Sequence, residues 1–354
     1  TLGSSTSDLT VENAITIDAS TEGISTGEAD LILNGVFNMS DGRLNSTSGT
    51  IYLLEGGELS GSGEFNFDNS TWKLAGDFIS SGTLNFENTN LELEEDITLS
   101  SDEAIRFLTL SLNYHTLTLG SSTSDLTVDN ALNIGQNTEG ISTGDADLIL
   151  NQYLRIFEEG SITSTGGTIS LQEGGELSGT ETGNGILDIS DSIWTLGGDF
   201  TKSSGTLTIS QTDFKLEGHS TLTSDEALNF VNLNLNDFTL TLGSPTTNLS
   251  VENDITIDTS TEGISTGEAD LTVEGDFTLA NGKLKSTSGK LIFRQGGTQS
   301  GTSEFDLGAS ILYLGADYTK SGGNLLSSSA TLDLLVDLTI TSDSALSFNQ
   351  LNLN

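Results

Sequence analysis

Residues 1–11 (TLGSSTSDLTV) recur letter for letter as residues 118–128, and residues 20–31 (STEGISTGEADL) recur letter for letter as residues 260–271. A chain of near-identical long units is an array, and arrays supply length or many copies of one surface rather than a unique catalytic pocket. Three blocks follow, 1–117, 118–240 and 241–354, expected to form one continuous rod rather than independent domains. Other landmarks keep the same phase. Trp72-Lys73-Leu74 with Gly76-Asp77-Phe78 answers to Trp194-Thr195-Leu196 with Gly198-Asp199-Phe200, and then to Leu312-Tyr313-Leu314 with Ala316-Asp317-Tyr318. Ser101-Asp102-Glu103-Ala104 answers to Ser224-Asp225-Glu226-Ala227 and to Ser342-Asp343-Ser344-Ala345.

A finer rhythm runs inside each block. Two apolar residues flank one polar residue, and such pairs recur along the chain. The first block gives Leu9/Val11, Ile15/Ile17, Leu31/Leu33, Ile51/Leu53, Phe65/Phe67, Trp72/Leu74, Leu84/Phe86, Leu91/Leu93, Ile97/Leu99, Ile105/Phe107 and Leu110/Leu112. Alternation at period two marks strands with one face buried. The residues between pairs are Gly, Ser, Asn and Asp, which turn a chain. A block of this length is too long for a propeller blade of about 40–50 residues. The pairs also never lengthen into the strands of a sandwich. The expected fold is therefore all-β, a parallel β-solenoid (β-helix) of short strands. Three strands would take about 20 residues per coil, giving about six coils per block and a rod of roughly 80 Å at about 4.8 Å per coil.

Composition narrows the function. The 354 residues hold 11 Lys plus Arg against 51 Asp plus Glu, a net charge of −40. Phosphate backbones need clustered cations, so nucleic acid is excluded as a partner, and an anionic membrane is disfavoured for the same reason. Disorder is argued against by a hydrophobic content of 34% placed with a strict local period. With no cysteine there are no disulfides, Cys-based zinc sites or thiol nucleophiles. No apolar run approaches a membrane helix, so no membrane insertion is expected. The chain opens on Thr1 and its one methionine is Met39, as in a mature or trimmed segment. Neither end reads as a cap: residue 1 falls within a strand motif, and Asn354 stops at the equivalent of Asn236. Exposed coil ends template pairing, so the partners expected are further turns of a longer chain or neighbouring molecules stacked end to end.

The segments GTIYLLEGG (49–57), GTISLQEGG (167–175) and WTLGGDF (194–200) resemble the Gly-punctuated β-solenoid stalks of large bacterial surface proteins, the filamentous-haemagglutinin-like adhesins and autotransporter passengers. The resemblance covers the whole chain in style and rests on no diagnostic motif. It implies an extracellular or cell-surface location and a secreted, filament-forming role.

One segment has the spacing of a cation site. Asp18, Ser20 and Glu22, then Gly23, Glu28 and Asp30, set oxygen ligands rather like a calcium loop, and the pattern returns at Asp258, Ser260, Glu262, Gly263, Glu268 and Asp270. Ala29 stands where that motif needs a bidentate Glu, and the second block has Gly135 in place of the first Asp while keeping Glu139, Asp145 and Asp147. An acidic solvated corner is the simpler account, and the solenoid nonapeptide for calcium is absent. A polysaccharide-cleaving solenoid wants cations and carboxylates converging on one face. Here Arg43, Arg106, Arg155 and Arg294 do not repeat in phase, nor do His115 and His219. An ice-binding face wants paired outward Thr ranks, whereas the usual strand here offers one Thr between two inward apolar residues. Trp72 and Trp194 read as buried coil-fillers, since Leu312 replaces them in the third block. The sequence thus points to a non-enzymatic structural protein, a β-solenoid segment of an adhesin stalk or filament. The alternative is a surface adhesin whose acidic corners hold calcium or host or environmental glycans; no other cofactor is implied.

Overall fold

The computed structural model describes residues 1–354 apart from 3, 136–138, 180–182 and 354 and the side chain of Glu87. Among the described residues there are 49 strands and no helix. Parallel strands stack as a β-solenoid of about 16 turns with about 21 residues each. The period-two pattern is the cause. In Leu31–Leu33 the outer leucines are fully buried while Ile32 is half-buried. Each strand then finds its like one turn on: Leu31 pairs with Ile51, Ile32 with Tyr52 and Leu33 with Leu53.

The chain forms two compact units. In the first, which holds most of residues 1–189, three ladders wrap one interior. One ladder starts with Leu9–Val11 and Leu31–Leu33 and ends on Thr109–Ser111. A second runs through Ile15–Ile17, Phe37–Met39 and Gly57–Leu59 to Thr116–Leu119, Gly140–Gly144 and beyond, every member being the third strand after the last. A third holds Gly23–Gly27, Arg43–Ser46, Glu64–Asp68 and Thr83–Glu87, and a new ladder of Ile105–Phe107, Leu126–Val128 and Leu148–Leu150 takes over that side. The second unit, which holds most of residues 190–354, is built the same way. Ile193–Leu196, Asp213–Leu216 and Asn232–Asn234 form one ladder, Phe200–Lys202 and Ser220–Ser224 lie in another, and Leu228–Phe230 opens a third that includes Ile311–Leu314.

Counting strands makes the expectation of about six coils per block exact in thirds of a turn. Leu126–Val128 repeats the sequence of Leu9–Val11 and comes seventeen strands later. Seventeen is not a multiple of three, so a block makes five and two-thirds turns. Leu9–Val11 therefore stands on the first side of its unit and Leu126–Val128 on the third. Gly23–Gly27 stands on the third side and its copy Gly140–Gly144 on the second. The same step recurs inside the second unit: Ile193–Leu196 and its counterpart Ile311–Leu314, again seventeen strands apart, belong to different ladders. Each copy of the block is turned by a third of a revolution relative to the one before.

The interior is apolar and, in places, aromatic. Trp72 and Trp194 are fully buried, as expected of coil-fillers. Trp72 stands edge-on to Phe78 at 5.0 Å, and Phe67, Phe86 and Phe107 continue the stack at 5.4 and 5.2 Å. In the second unit Trp194 meets Phe200 at 4.9 Å, Phe214 and Phe230 stack at 4.7 Å, and Phe277 and Phe293 at 4.2 Å. Offset or edge-on rings at these separations add about 0.5–1.5 kcal/mol per pair beyond burial. Both indole N–H groups lack a partner among the described residues, which costs part of that gain.

Corners are closed by two kinds of glycine. Gly27, Gly144 and Gly267 take φ of 60, 57 and 58° in the three copies. A Cβ on Gly49, Gly167 or Gly289 would sit 2.1 Å from the carbonyl oxygen of Ala29, Ala146 or Ala269 on the preceding turn. The two substitutions should differ accordingly. Gly267→Ala meets no atom nearer than 3.9 Å and should cost about 1 kcal/mol from backbone conformation alone. Gly289→Ala must push two turns apart and should cost several-fold more, read as a larger fall in the denaturation midpoint with urea; equal costs would contradict the close approach.

Candidate functional site

The most regular chemistry is a set of carboxylates at the corners. An Asp immediately before the first residue of a strand accepts the backbone N–H of a residue one turn on. Asp30 takes Thr50 N–H at 2.7 Å, Asp77 takes Thr98 at 2.6 Å, Asp96 takes Thr116 at 2.7 Å and Asp147 takes Thr168 at 2.6 Å. In the second unit Asp199 takes Thr221, Asp254 takes Asp276, Asp270 takes Lys290 and Asp317 takes Thr339, each at 2.7 Å. Several run in series: Asp8 accepts Asp30 N–H at 3.0 Å, Asp125 accepts Asp147 N–H at 2.9 Å, and Asn248 accepts Asp270 N–H at 2.8 Å. His219 replaces Asp96 in the second block and does the same work, its Nδ1 accepting Thr239 N–H at 3.0 Å. A corner N–H lies outside the strand ladder and needs an acceptor, and a charged one is worth about 1.5–3 kcal/mol.

The residues singled out by calcium-like spacing fall into this scheme. Asp30 and Asp270 are backbone acceptors of the kind just described. Glu262 turns inward and is 9% exposed; one oxygen accepts Asp258 N–H at 3.0 Å and the other accepts Asp237 N–H at 3.2 Å from the preceding turn. Glu139, its counterpart in the second block, clamps Gly135 N–H at 3.0 Å and Tyr114 N–H at 2.8 Å in the same manner. Tyr114 and Asp237 have φ of 74 and 69°, so the clamp holds a left-handed corner in place. Asp18, Glu22, Glu28, Asp258 and Glu268 are exposed. Among the described residues no group of three or more His, Asp or Glu side chains is placed to hold a metal ion.

Cations are embedded in this acidic background. Lys202 and Lys320 point into the interior at the position held by Ser80 in the first block. Their ammonium groups reach the next corner, Lys202 to Asp225 and Glu226 and Lys320 to Asp343 at 2.7 Å. Lys73 lies between Glu92 at 2.8 Å and Glu94 at 3.0 Å, and their hydrogen bonds hold it well above the ordinary amine range. Arg43 pairs with Glu64 at 2.9 Å, and Arg106 with Asp129 at 2.8 Å. Buried Lys202 and Lys320 were not anticipated from sequence. Their signal is a Lys two residues after an inward aromatic (Phe200, Tyr318), a position that the period makes internal.

No protein-family model matches the chain, and no curated protein and no solved structure is similar to it. Among the described residues no helix is long and apolar enough to cross a membrane.

Among the described residues three carboxyls titrate below their ordinary value of 3.8: Asp41 through the Ser62 hydroxyl and then Gly42 N–H, Asp129 through Arg106, and Asp343 through Lys320. A carboxyl lowered on folding stabilises the fold above its ordinary value, and that contribution is lost as pH falls through the folded value. Mutual repulsion within a net charge of −40 acts oppositely, easing as acid reduces that charge. At constant ionic strength the melting temperature should rise between pH 7 and about 5 and fall below about 4; a monotonic fall from pH 7 would contradict this balance. Asp270→Asn keeps an acceptor oxygen and should cost less than Asp270→Ala, at about 1.5–3 kcal/mol. Calcium at 5 mM should shift the melting temperature no further than 5 mM magnesium.

Proposed function

We propose that this chain is a non-enzymatic structural protein, a β-solenoid segment of an extracellular or cell-surface stalk or filament. The observation that carries the reading is the seventeen-strand block. The copies keep the inward apolar positions and the corner acceptors but turn each block by a third of a revolution. An adhesive array built by duplication gains avidity when equivalent residues line one side. Here equivalent residues are carried to different sides, and the outward residues are not kept either: Arg43 is matched by Ser161 and Lys283, and Asn45 by Thr163 and Lys285. What duplication preserves is the capacity to stack.

The same features support the partner assignment. Parallel stacking leaves a row of unpaired N–H and C=O groups on any terminal turn, and the turn that best satisfies it is another turn of this pattern. Further turns of a longer chain, or a second molecule end to end, are the partners proposed.

Immunogold labelling of intact producer cells with an antibody to this chain tests the reading. Surface or extracellular-filament labelling without permeabilisation is the expected result. Labelling that appears only after permeabilisation would overturn it.

A further inference from the structure

In a molecule with 51 carboxylates, a lysine that makes no ion pair although Glu304 stands beside it on the next turn is unusual. Four of the 11 cations, Lys283, Lys285, Lys290 and Arg294, fall within twelve residues of the third block. Lys290 and Arg294 approach Asp270 at 4.0 Å and Glu274 at 3.7 Å, and Lys285 approaches Glu304 at 3.4 Å. Lys283 makes no ion pair and no side-chain hydrogen bond among the described residues. The reason is visible by comparison with the first block. There Arg43, at the position of Lys283, takes Glu64 at 2.9 Å, and Asn45, at the position of Lys285, is neutral and hydrogen-bonds to Asn66. In the third block Lys285 takes the equivalent acid, Glu304, and leaves Lys283 exposed and unpaired.

Lys283 borders a hollow of about 260 Å³. Gly263 makes the hollow: it occupies an outward strand position between Thr239 on the preceding turn and Lys283 on the next, and it has no side chain. Thr239, Ser260, Thr261 and Ser265 line it together with Lys283 and Lys285; the Thr239 hydroxyl donates to the Thr261 carbonyl at 3.4 Å and the Thr261 hydroxyl bonds that of Thr259 at 3.1 Å. The one carboxylate in the lining, Glu262, is turned to backbone N–H groups of Asp237 and Asp258. Hydroxyls both donate and accept, which suits a polyol, while an unpaired ammonium suits one anionic substituent on it. The volume fits one sugar ring. At physiological ionic strength the repulsion of acids beyond about 8 Å is screened, so the local cations decide.

We propose that the hollow at Gly263 binds one acidic sugar unit of a polysaccharide, its carboxylate or sulfate on Lys283 and its hydroxyls on the Thr239, Ser260, Thr261 and Ser265 rim. The site is private to the third block: the second block has Ser161 in place of Lys283. It is therefore a single site and not a repeated one.

Isothermal titration with a galacturonic acid trimer at physiological ionic strength tests it, with maltotriose as the neutral sugar and acetate as the free carboxylate. The expected result is one site of submillimolar Kd for the trimer, at least tenfold weaker binding of maltotriose, and no saturation by acetate. Lys283→Gln should weaken the trimer at least tenfold without lowering the melting temperature. Gly263→Ala, which narrows the hollow and leaves the charge, should weaken it too. Lys215→Gln, at a cation far along the chain with no ion pair among the described residues, should leave affinity unchanged. Absence of saturable trimer binding, undiminished binding by Lys283→Gln, or acetate binding as well as the trimer would each overturn the proposal. So would sedimentation showing that Lys283→Gln abolishes self-association while the wild-type chain ignores the trimer, since Lys283 would then belong to a contact with a second copy.

Discussion

Backbone pairing between successive turns is the constraint on which the rest of this protein depends. Parallel strands about 4.8 Å apart place every side chain beside the residue at the same position of the next turn. Like must therefore tolerate like. Inside, that rule stacks Phe67 on Phe86 and Phe86 on Phe107. Outside, it lines up Asn45, Asn66 and Asn85, whose amides bond in series at 2.9 and 2.7 Å. It also makes acidity hazardous, since stacked carboxylates repel. The corner aspartates resolve this by facing an N–H of the next turn rather than only another acid. Part of the −40 charge is thus held by the same geometry that it would otherwise oppose.

The turning of each block changes what duplication means here. Had a block closed on a whole number of turns, every surface residue would recur on one side and the chain would read as a multivalent display. With seventeen strands per block, selection on any one side of the surface acts on different parts of the block in each copy. Surface residues such as Arg43, Ser161 and Lys283 are then free to diverge, whereas Ala29, Ala146 and Ala269, buried against Gly49, Gly167 and Gly289, are not. An individual surface site can consequently arise in one block alone, as at Lys283.

The alternating apolar pairs made the fold legible, because a two-residue period with a buried face has few other solutions. The count of strands was less so. Gly23–Gly27, Arg43–Ser46, Gly57–Leu59 and Phe78–Ser80 each carry Ser, Thr or Gly at an inward position and escape a search for apolar pairs. Phe37–Met39 carries a full apolar pair and adds to the count. Of the acidic corner, the spacing of Asp18, Glu22, Glu28 and Asp30 was visible but the groups they face were not. The partner of Asp30 is twenty residues away at Thr50, on the next turn. An Asp directly preceding a strand's first apolar residue was the available signal.

The central claim is that three strands make a turn and seventeen make a block. Electron–electron distance measurements between spin labels within the first unit test it most directly. Asn38 and Ser142 lie on one ladder five strand steps apart, which predicts a separation of about 25 Å. Ser25 and Ser142 are equivalent residues of consecutive blocks on different sides, and their separation should be the longer of the two. A Ser25–Ser142 distance shorter than Asn38–Ser142 would mean that a block closes on a whole number of turns, and would contradict the account.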